Sequence, residues 1–503
     1  MSDRKNVLFV VIDQLRADCV FGKLAGHVDM PNLRAFMADA VSFQNHFSAT
    51  SPCGPSRVSM LTGQYAMNHR SVRNGTPIPH DKPNLATEAR KAGYLPLLFG
   101  YTDSAPDPRT LDPNDPMLRS YEQVLPGFVE ALEMRLEESW PWRADLLSKG
   151  YDVPAYPDIF RPSGSSPDDP SFYKAEDSDT AFLTNRLIDD LRARPKGWFA
   201  HLTYIRPHPP LVAPEPYNKM YDPASLPEAN RPRDRAGEEA AHPFNPPGLR
   251  YQLARQMVEG FPELQDTPEN VAMLRSIYFG LATEVDHHLG RVFDFLKETG
   301  QYDNTLVVVT ADHGELLGDF HFWGKSTYYD AAYFTPLVIR DPSLKQCFGR
   351  VVNAPTESVD VTPTILDMIG RDIPDTMDGR SLRPFLQGET PQNWRDYSFS
   401  ELDYGNPVDP TVWQEELDLS SDQTNLSILR GKRHTLVHFN GGLPPLLFDH
   451  EAEGENKDVS AESENSATLL SMYRILLDHR MTHEEGRFSK TMVTPVGVQR
   501  GPH

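Results

Sequence analysis

The chain has 503 residues, 39% of them hydrophobic and 24% charged, with a formal net charge of −22. That length exceeds what a single core usually serves, so a large domain with a smaller companion is expected. The acidic balance sets aside nucleic acid and anionic membrane as partners, because affinity for either rests on a basic surface, and no run of 18 apolar residues is present to cross a bilayer.

The first element, "NVLFVVI" (6–12), is a continuous apolar run ended by Asp13. It is too short for a signal-peptide core and no small-residue cleavage site follows, so a cytoplasmic protein is expected. Three cysteines, Cys19, Cys53 and Cys347, do not pair evenly, and a chain of this length needs no disulfide staples. In "SPCGPSRVSMLTGQ" (51–64), Pro55 suits the first turn of a short helix that Gly63 ends. Cys53 would then stand at the helix N-terminus, where free N–H groups favour an anion. Arg57, one turn on, either grips an oxyanion or braces the loop. A buried free cysteine beside a structural turn is the plain alternative. A thiolate phosphatase is not one, because three residues between Cys53 and Arg57 are too few to wrap a phosphate with backbone amides.

Pro-rich stretches at 103–175 and 205–265 read as long insertions, of the kind that form lids or interface arms. Between them, "TAFLTNRLIDDLRARP" (180–195) places Leu183, Leu187, Ile188 and Leu191 on one helix face and stops at Pro195, and "GWFAHLTY" (197–204) reads as a strand. A longer helix over 269–299 repeats Ile277, Leu281, Val285, Leu289, Val292 and Leu296 before Gly300, and "NTLVVVTADHGE" (304–315) is a β-branched strand running into Asp312 and His313. Continuous rather than alternating apolar runs suit a parallel sheet covered on both faces, so residues 1–385 are expected to form a doubly wound α/β domain. Short strand-like pieces such as "SILRGKRHTLVHF" and a late helix at 466–485 make residues 386–503 a smaller α+β domain. In doubly wound sheets ligands bind beyond the carboxyl ends of the strands, so Asp13, His208 and the Asp312–His313 pair should converge.

At this point "CGPSRVSMLTG" resembles the signature of type I sulfatases, Cys-x-Pro-Ser-Arg followed by a short helix ending in Thr-Gly. The resemblance extends to "NVLFVVIDQLRAD", "TEVDHHLGRVFDFLKETGQYDNTLVVVTADHGELLGD" and "LFDHEAEGENKD", in the family's order. It implies the alkaline-phosphatase-like fold and conversion of Cys53 to formylglycine. Of the two hydroxyls of the hydrated aldehyde, one, polarised by a metal, attacks sulfur or phosphorus, and the other then expels the sulfate or phosphate. The resemblance also assigns one divalent ion to Asp13, Asp312, His313 and residue 53. An oxygen-rich donor set with one imidazole points to Ca²⁺ or Mn²⁺. Asp13-Gln14 and Asp312-His313 are similar to the pairs of phosphonate monoester hydrolases and choline sulfatases, with Gln14 either a weak ligand or a neighbour.

By the same resemblance Lys325 in "HFWGKSTYYD" grips an oxyanion, His208 in "RPHPP" serves the leaving group, and Asn74 in "VRNGTP" contacts an oxyanion. His201, His287 and His288 lie inside elements and read as structural, while His321 stays open. The chain departs from ordinary sulfatases at "FGYTDSAPDPRT" (99–110), which has neither their lysine nor their histidine. Tyr101 and Asp103 stand where groups that contact the transferred group or deprotonate the diol are found, and Asp103 is otherwise a turn residue. The expectation is a hydrolase of sulfate monoesters with phosphonate monoesterase and phosphodiesterase side activities. The alternative reverses that ranking, and a catalytically dead anion-binding relative is the third reading. A formylglycine-generating system is the implied maturation partner. The tail "GRFSKTMVTPVGVQRGPH", with Phe488, Met492, Val493, Val496 and Val498, points to a homo-oligomer, a dimer or tetramer.

Overall fold

The structure, a computed structural model, describes residues 4–486, 489 and 491–500. Its centre is the strand Asn6–Ile12, buried along its whole length. Leu8, Val10 and Ile12 enter one hydrophobic core, and Val7, Phe9 and Val11 enter another on the opposite face. Both faces of the strand therefore need apolar side chains, which is why its sequence does not alternate.

Eight strands form the main sheet, in the order Val351–Val352, Val41–Phe43, Leu337–Arg340, Thr305–Ala311, Asn6–Ile12, Phe199–Tyr204, Pro96–Gly100 and Val129–Glu133. All run in one direction except Leu337–Arg340, which is antiparallel to both of its neighbours. The expected parallel sheet is thus mixed at one place. Ile12 is level with Tyr204 on one side and with Ala311 on the other. Asp13 and Asp312 consequently leave the sheet side by side.

The helices Asp179–Ala193 and Pro268–Glu298 cover one face. Ser178 Oγ accepts the Ala181 N–H at 3.1 Å and Thr267 Oγ1 accepts the Asn270 N–H at 3.3 Å, so each helix starts on a side-chain cap. The stripe from Ile277 to Leu296 is buried throughout. Helix Cys53–Thr62 lies on the other face, where Val58 and Leu61 pack with Ile365 and Leu366.

Two features depart from the sequence reading. The stretch 103–175 is more than an insertion, because Val129–Glu133 pairs in parallel with Pro96–Gly100 and closes one sheet edge. Its exposed side chains hide it from an apolar-run criterion. The second sheet has six strands, Gly454–Asp458, Leu446–Asp449, His434–Phe439, Asn425–Arg430, Ser398–Asp403 and Thr50–Ser51, and the last comes from the N-terminal part of the chain. Thr50 and Ser51 pair with Glu401 and Leu402, the Glu401 N–H donates to Ala49 O at 2.9 Å, and Ser400 Oγ donates to Ser48 O at 2.6 Å. The C-terminal sheet thereby fixes the backbone two residues before Cys53.

Candidate active site

Cys53 is the first residue of helix Cys53–Thr62 and is 4% exposed. Gly54 follows it in a tight place: a Cβ there would stand 2.8 Å from Asp103 O and 3.0 Å from Asn74 Oδ1. That space lets Asn74 Oδ1 accept the Gly54 N–H at 3.0 Å, so the carbonyl end of Asn74 holds the start of the helix. At the other end Gly63 takes φ +64° and closes the helix in the left-handed region, as the sequence predicts.

Donor atoms of Asp13, Cys53, Asp312 and His313, all buried, lie within 4.8 Å of one another. Cys53 Sγ is 3.1 Å from His313 Nε2 and 3.8 Å from Asp13 Oδ1. His313 Nδ1 donates to Gly314 O at 3.0 Å, which leaves Nε2 as the basic nitrogen facing the cluster, and burial lowers the imidazole pKa. Two buried carboxylates share Arg57, whose Nη2 is 2.8 Å from Asp13 Oδ2 and whose Nε is 3.0 Å from Asp312 Oδ2. Burial, then repulsion from Asp312, raises the pKa of Asp13. Burial acts the same way on Asp312, but His313, Arg57 and the Gln14 N–H outweigh it and hold that carboxyl at about 2. One arginine does not neutralise two carboxylates, and the strain falls on Asp13. A divalent cation would relieve it, so the residues present fit a metal of the hard, oxygen-preferring kind.

Arg57 is engaged by its neighbours. Both of its ends are spent on carboxylates, its guanidinium stands 4.3 Å over the Tyr101 ring, and Asp103 Oδ2 is 3.9 Å from Nε. The Tyr101 hydroxyl donates to Asp13 Oδ2. Asp103 sits at φ +49° and is 6% exposed, and its Oδ1 has no hydrogen-bond partner among the described residues. Burial pushes its pKa well up, more than Arg57 draws it down.

The Gln14 side chain is bonded to Lys325 and Glu315 and makes no hydrogen bond to Asp13 or Asp312. With φ +66°, it accepts from Lys325 Nζ at 2.6 Å through Oε1 and donates through Nε2 to Glu315. Lys325 Nζ also meets His208 Nε2 at 3.0 Å. Burial works against the Lys325 ammonium, but Cys53, Asp13, Asp312 and Glu315 outweigh it and raise its pKa. Burial and then Lys325 push His208 well below its ordinary value. His208 is therefore neutral, with Nδ1 turned to Pro209 O and Nε2 accepting from Lys325.

The predicted residues Asp13, Gln14, Cys53, Arg57, Asn74, Tyr101, Asp103, His208, Asp312, His313 and Lys325 are thus joined in one network of contacts. Glu315 was missed although it lies within "TADHGELLGD". Its carboxylate takes the Leu317 and Gly324 N–H groups as well as Gln14 Nε2, so it shapes the loop that carries Lys325. Tyr278 was missed too; its hydroxyl donates to Gln14 O at 2.6 Å and accepts the Arg16 N–H at 3.0 Å. The histidines set aside are structural: His201 Nδ1 meets Phe9 O at 3.1 Å, His287 meets Tyr217 and His288 meets Arg291. His321, left open, bonds Arg233 O at 3.0 Å and joins them.

Residues 5–371 match the sequence model of the Sulfatase family. The chain belongs to the sulfatase family. It is 36% identical, over 99% of its length and all of the relative's, to the multifunctional alkaline phosphatase superfamily protein PehA of Trinickia caryophylli. It is 28% identical to an arylsulfatase of Clostridium perfringens, over 80% of this chain and 82% of that one. Among solved structures, the phosphonate monoester hydrolase SpPMH of Silicibacter pomeroyi superposes with a TM-score of 0.97 at 56% identity, covering 99% of both chains. The phosphonate monoester hydrolase of Agrobacterium radiobacter gives 0.95 at 38% identity, over 99% of this chain and 100% of that one. The alkaline-phosphatase-like α/β fold anticipated from the sequence is the fold of this sulfatase-family chain.

Proposed function

We propose that this sulfatase-family chain hydrolyses singly charged esters, namely sulfate monoesters, phosphonate monoesters and phosphodiesters, in the site around residue 53. The observation that carries the reading is the state of Cys53. Burial and then Asp13 push its thiol well above the ordinary range, more than Lys325 lowers it. A cysteine that acts as a thiolate needs the opposite. Yet this thiol stands where two carboxylates, a histidine and the helix start converge. The contradiction disappears if residue 53 acts after conversion to formylglycine. Formylglycine and a divalent ion held by Asp13, Asp312, His313 and residue 53, Ca²⁺ or Mn²⁺ by the donor set, supply a polarised oxygen nucleophile.

The chain's own residues do the remaining work. Arg57 and Tyr101 fix the Asp13 and Asp312 carboxylates, so their orientation is set before substrate arrives. Lys325 ends on two neutral partners, Gln14 and His208, and is the cation offered to the ester's anionic oxygens. The proton needed by the leaving oxygen resides on Lys325, and the Lys325–His208 pair delivers it. Asn74 and Asp103 line the Gly54 side of the nucleophile. With Arg57 spent on carboxylates, a second substrate charge meets no dedicated cation, so phosphate monoesters rank last. Full-length likeness to two phosphonate monoester hydrolases weighs for phosphonate esters, and the family match weighs for sulfate esters. Both carry one negative charge at neutral pH. A formylglycine-generating system in the cytoplasm is the maturation partner we assign, and a dimer or tetramer is the assembly.

The test is kcat/KM measured side by side on an aryl sulfate, an aryl phenylphosphonate, a phosphodiester and a phosphate monoester, with Cys53→Ala as control. Sulfate and phosphonate esters should exceed the phosphate monoester at least roughly tenfold, and the alanine variant should fold but not turn over. Full activity in protein whose residue-53 peptide shows only thiol by mass spectrometry would overturn the mechanism.

A further inference from the structure

His208 sits in an irregular segment between two buried anchors, Ile205 and Leu211, the latter donating its N–H to Met257 O at 2.6 Å. Residues 205–216 form no helix or strand, and Pro207, Pro209 and Pro210 remove three backbone N–H groups that could have tied it down. Between those anchors, the carbonyls of His208 and Pro210 are held by a side chain two positions upstream of the histidine. Arg206 Nη1 turns back and donates to the carbonyls of His208, at 3.0 Å, and Pro210, at 2.8 Å. Its Nε donates to Asp179 Oδ2 at 3.0 Å, and the guanidinium stands 4.7 Å over the Phe160 ring.

Asp179 is itself held at a helix start. It is the first residue of helix Asp179–Ala193, and its Oδ1 accepts the Thr180 N–H at 2.8 Å. Arg206 is wholly buried and Asp179 is 1% exposed. Glu284, which interacts with both, has its pKa pushed up to about 8, first by burial and then by Asp179, so it is neutral near pH 7 and leaves Asp179 as the partner of Arg206. A buried ion pair of this kind is a poor device for stability, since taking two charges out of water offsets much of their attraction. It is a good device for holding two carbonyls at fixed positions.

We propose that Arg206, clamped by Asp179, is a positioning residue that sets where the His208 imidazole stands against Lys325 and the leaving oxygen. The inference rests on the reading of His208 as part of the group that delivers a proton to the leaving oxygen. Placement of such a group matters at the scale of an ångström, and Lys325, on a different loop, is held separately through Gln14 and Glu315. Loss of the Arg206 clamp should therefore displace His208 and leave Lys325 in place.

The experiment compares wild type, Arg206→Lys, Asp179→Asn and His208→Ala on aryl phenylphosphonates whose phenols span a wide range of acidity. A good leaving group needs no proton and a poor one does. With the 4-nitrophenyl ester, Arg206→Lys and Asp179→Asn should stay within about threefold of wild type. With the phenyl ester they should fall at least roughly tenfold, steepening the leaving-group dependence in the same sense as His208→Ala. Asp179→Asn keeps the carbonyl that caps Thr180, so it carries the test if Arg206→Lys does not fold. A uniform loss across all esters in folded variants, beside a steep His208→Ala, overturns the positioning role alone. A flat His208→Ala series overturns the reading of His208 and this inference with it.

Discussion

Asp13 and Asp312 are held by one arginine, and that shortage governs what substitutions at the site should do. Replacing Asp312 by Asn keeps an oxygen for the Gln14 N–H but removes one of the two carboxylate charges bonded to Arg57 and puts an N–H₂ in place of one possible metal-ligating oxygen. Metal content in Asp312→Asn, read by elemental analysis of the dialysed protein, should drop well below one per chain together with the rate. One full equivalent in both Asp13→Asn and Asp312→Asn would show that the metal lies elsewhere. Asp103 calls for a different expectation from the one its sequence context suggests. Counted as an anion, it would repel doubly charged substrates, but burial favours the neutral form, whose charge an amide matches. The left-handed φ of +49° is also one that Asn accepts. Asp103→Asn should keep the substrate ranking while kcat falls at least roughly tenfold through loss of an exchangeable proton. An unchanged kcat would make Asp103 a turn residue only. The residues legible in the sequence were those at the ends of apolar runs or inside a long signature, such as Asp13, Cys53 and Asp312. Glu315, Tyr278 and Arg206 act through contacts between segments distant in the chain, and no spacing rule exposes those.

At the scale of elements, the runs 6–12, 199–204 and 305–311 were readable because a strand buried on both faces leaves a continuous apolar trace. Val129–Glu133 left none, being a solvent-facing edge, and Thr50–Ser51 is two residues long and has no pattern to detect. The two-residue strand nevertheless joins the C-terminal sheet to the nucleophile, so residues 386–503 serve the site and are not an appendage. The tail shows a similar dependence on surroundings. Thr491–Thr494 and Gly497–Arg500 form a two-stranded antiparallel sheet that exposes Met492 by 65%, Val493 by 84%, Val496 by 81% and Val498 by 67%. Phe488, named with them in the sequence, lies outside the described residues. An isolated two-stranded hairpin is marginal in water, and one with this much apolar surface gains most by docking on a second copy of the chain. Light scattering at micromolar concentration should give a dimer or tetramer. Deletion from Gly486 should reduce the mass of the assembly or change KM, and no change in either would remove the tail from the account.

Across the whole molecule, buried titratable groups fall into two opposed sets, and together they shape stability against pH. Burial pushes the carboxyl of Glu284 up to about 8, those of Glu122 and Glu401 to about 7 and that of Asp378 to about 6. It lowers His46, His201 and His288 to about 3 and His479 to about 2. Nothing in the local sequence marks these groups, because burial is a property of the finished fold. Each raised carboxyl keeps in the folded chain a proton that the unfolded chain has lost, so stability falls as pH rises from the ordinary carboxyl value to the raised one. Each lowered histidine refuses a proton that the unfolded chain takes up below 6.5, so stability falls as pH drops from there toward 3. Every such proton is worth about 1.4 kcal/mol per pH unit. Between about pH 4.5 and 6 the protons retained by the raised carboxyls and those refused by the lowered histidines act in opposite directions, so the melting temperature should vary less there than on either side. From about pH 6.5 to 8 only the carboxyls act, and Glu122, Glu401 and then Glu284 should cost on the order of 3 kcal/mol in total. The net charge of −22 adds repulsion in the same direction. Below about pH 4.5 the lowered histidines act without that opposition, and carboxylates held low, Asp312 at about 2 among them, add to the loss as they are protonated, so stability should fall steeply. Scanning calorimetry in steps from about pH 3.5 to 8.5 reads all three regimes. Glu284→Gln supplies the internal check: it should match wild type near pH 4.5 and melt increasingly higher from there to pH 8, because it has no carboxyl that the unfolded chain can ionise. A melting temperature that climbs from pH 6.5 to 8, or a Glu284→Gln variant with no advantage there, would mean that Glu284 is ionised in the folded chain and that the alkaline decline has another cause.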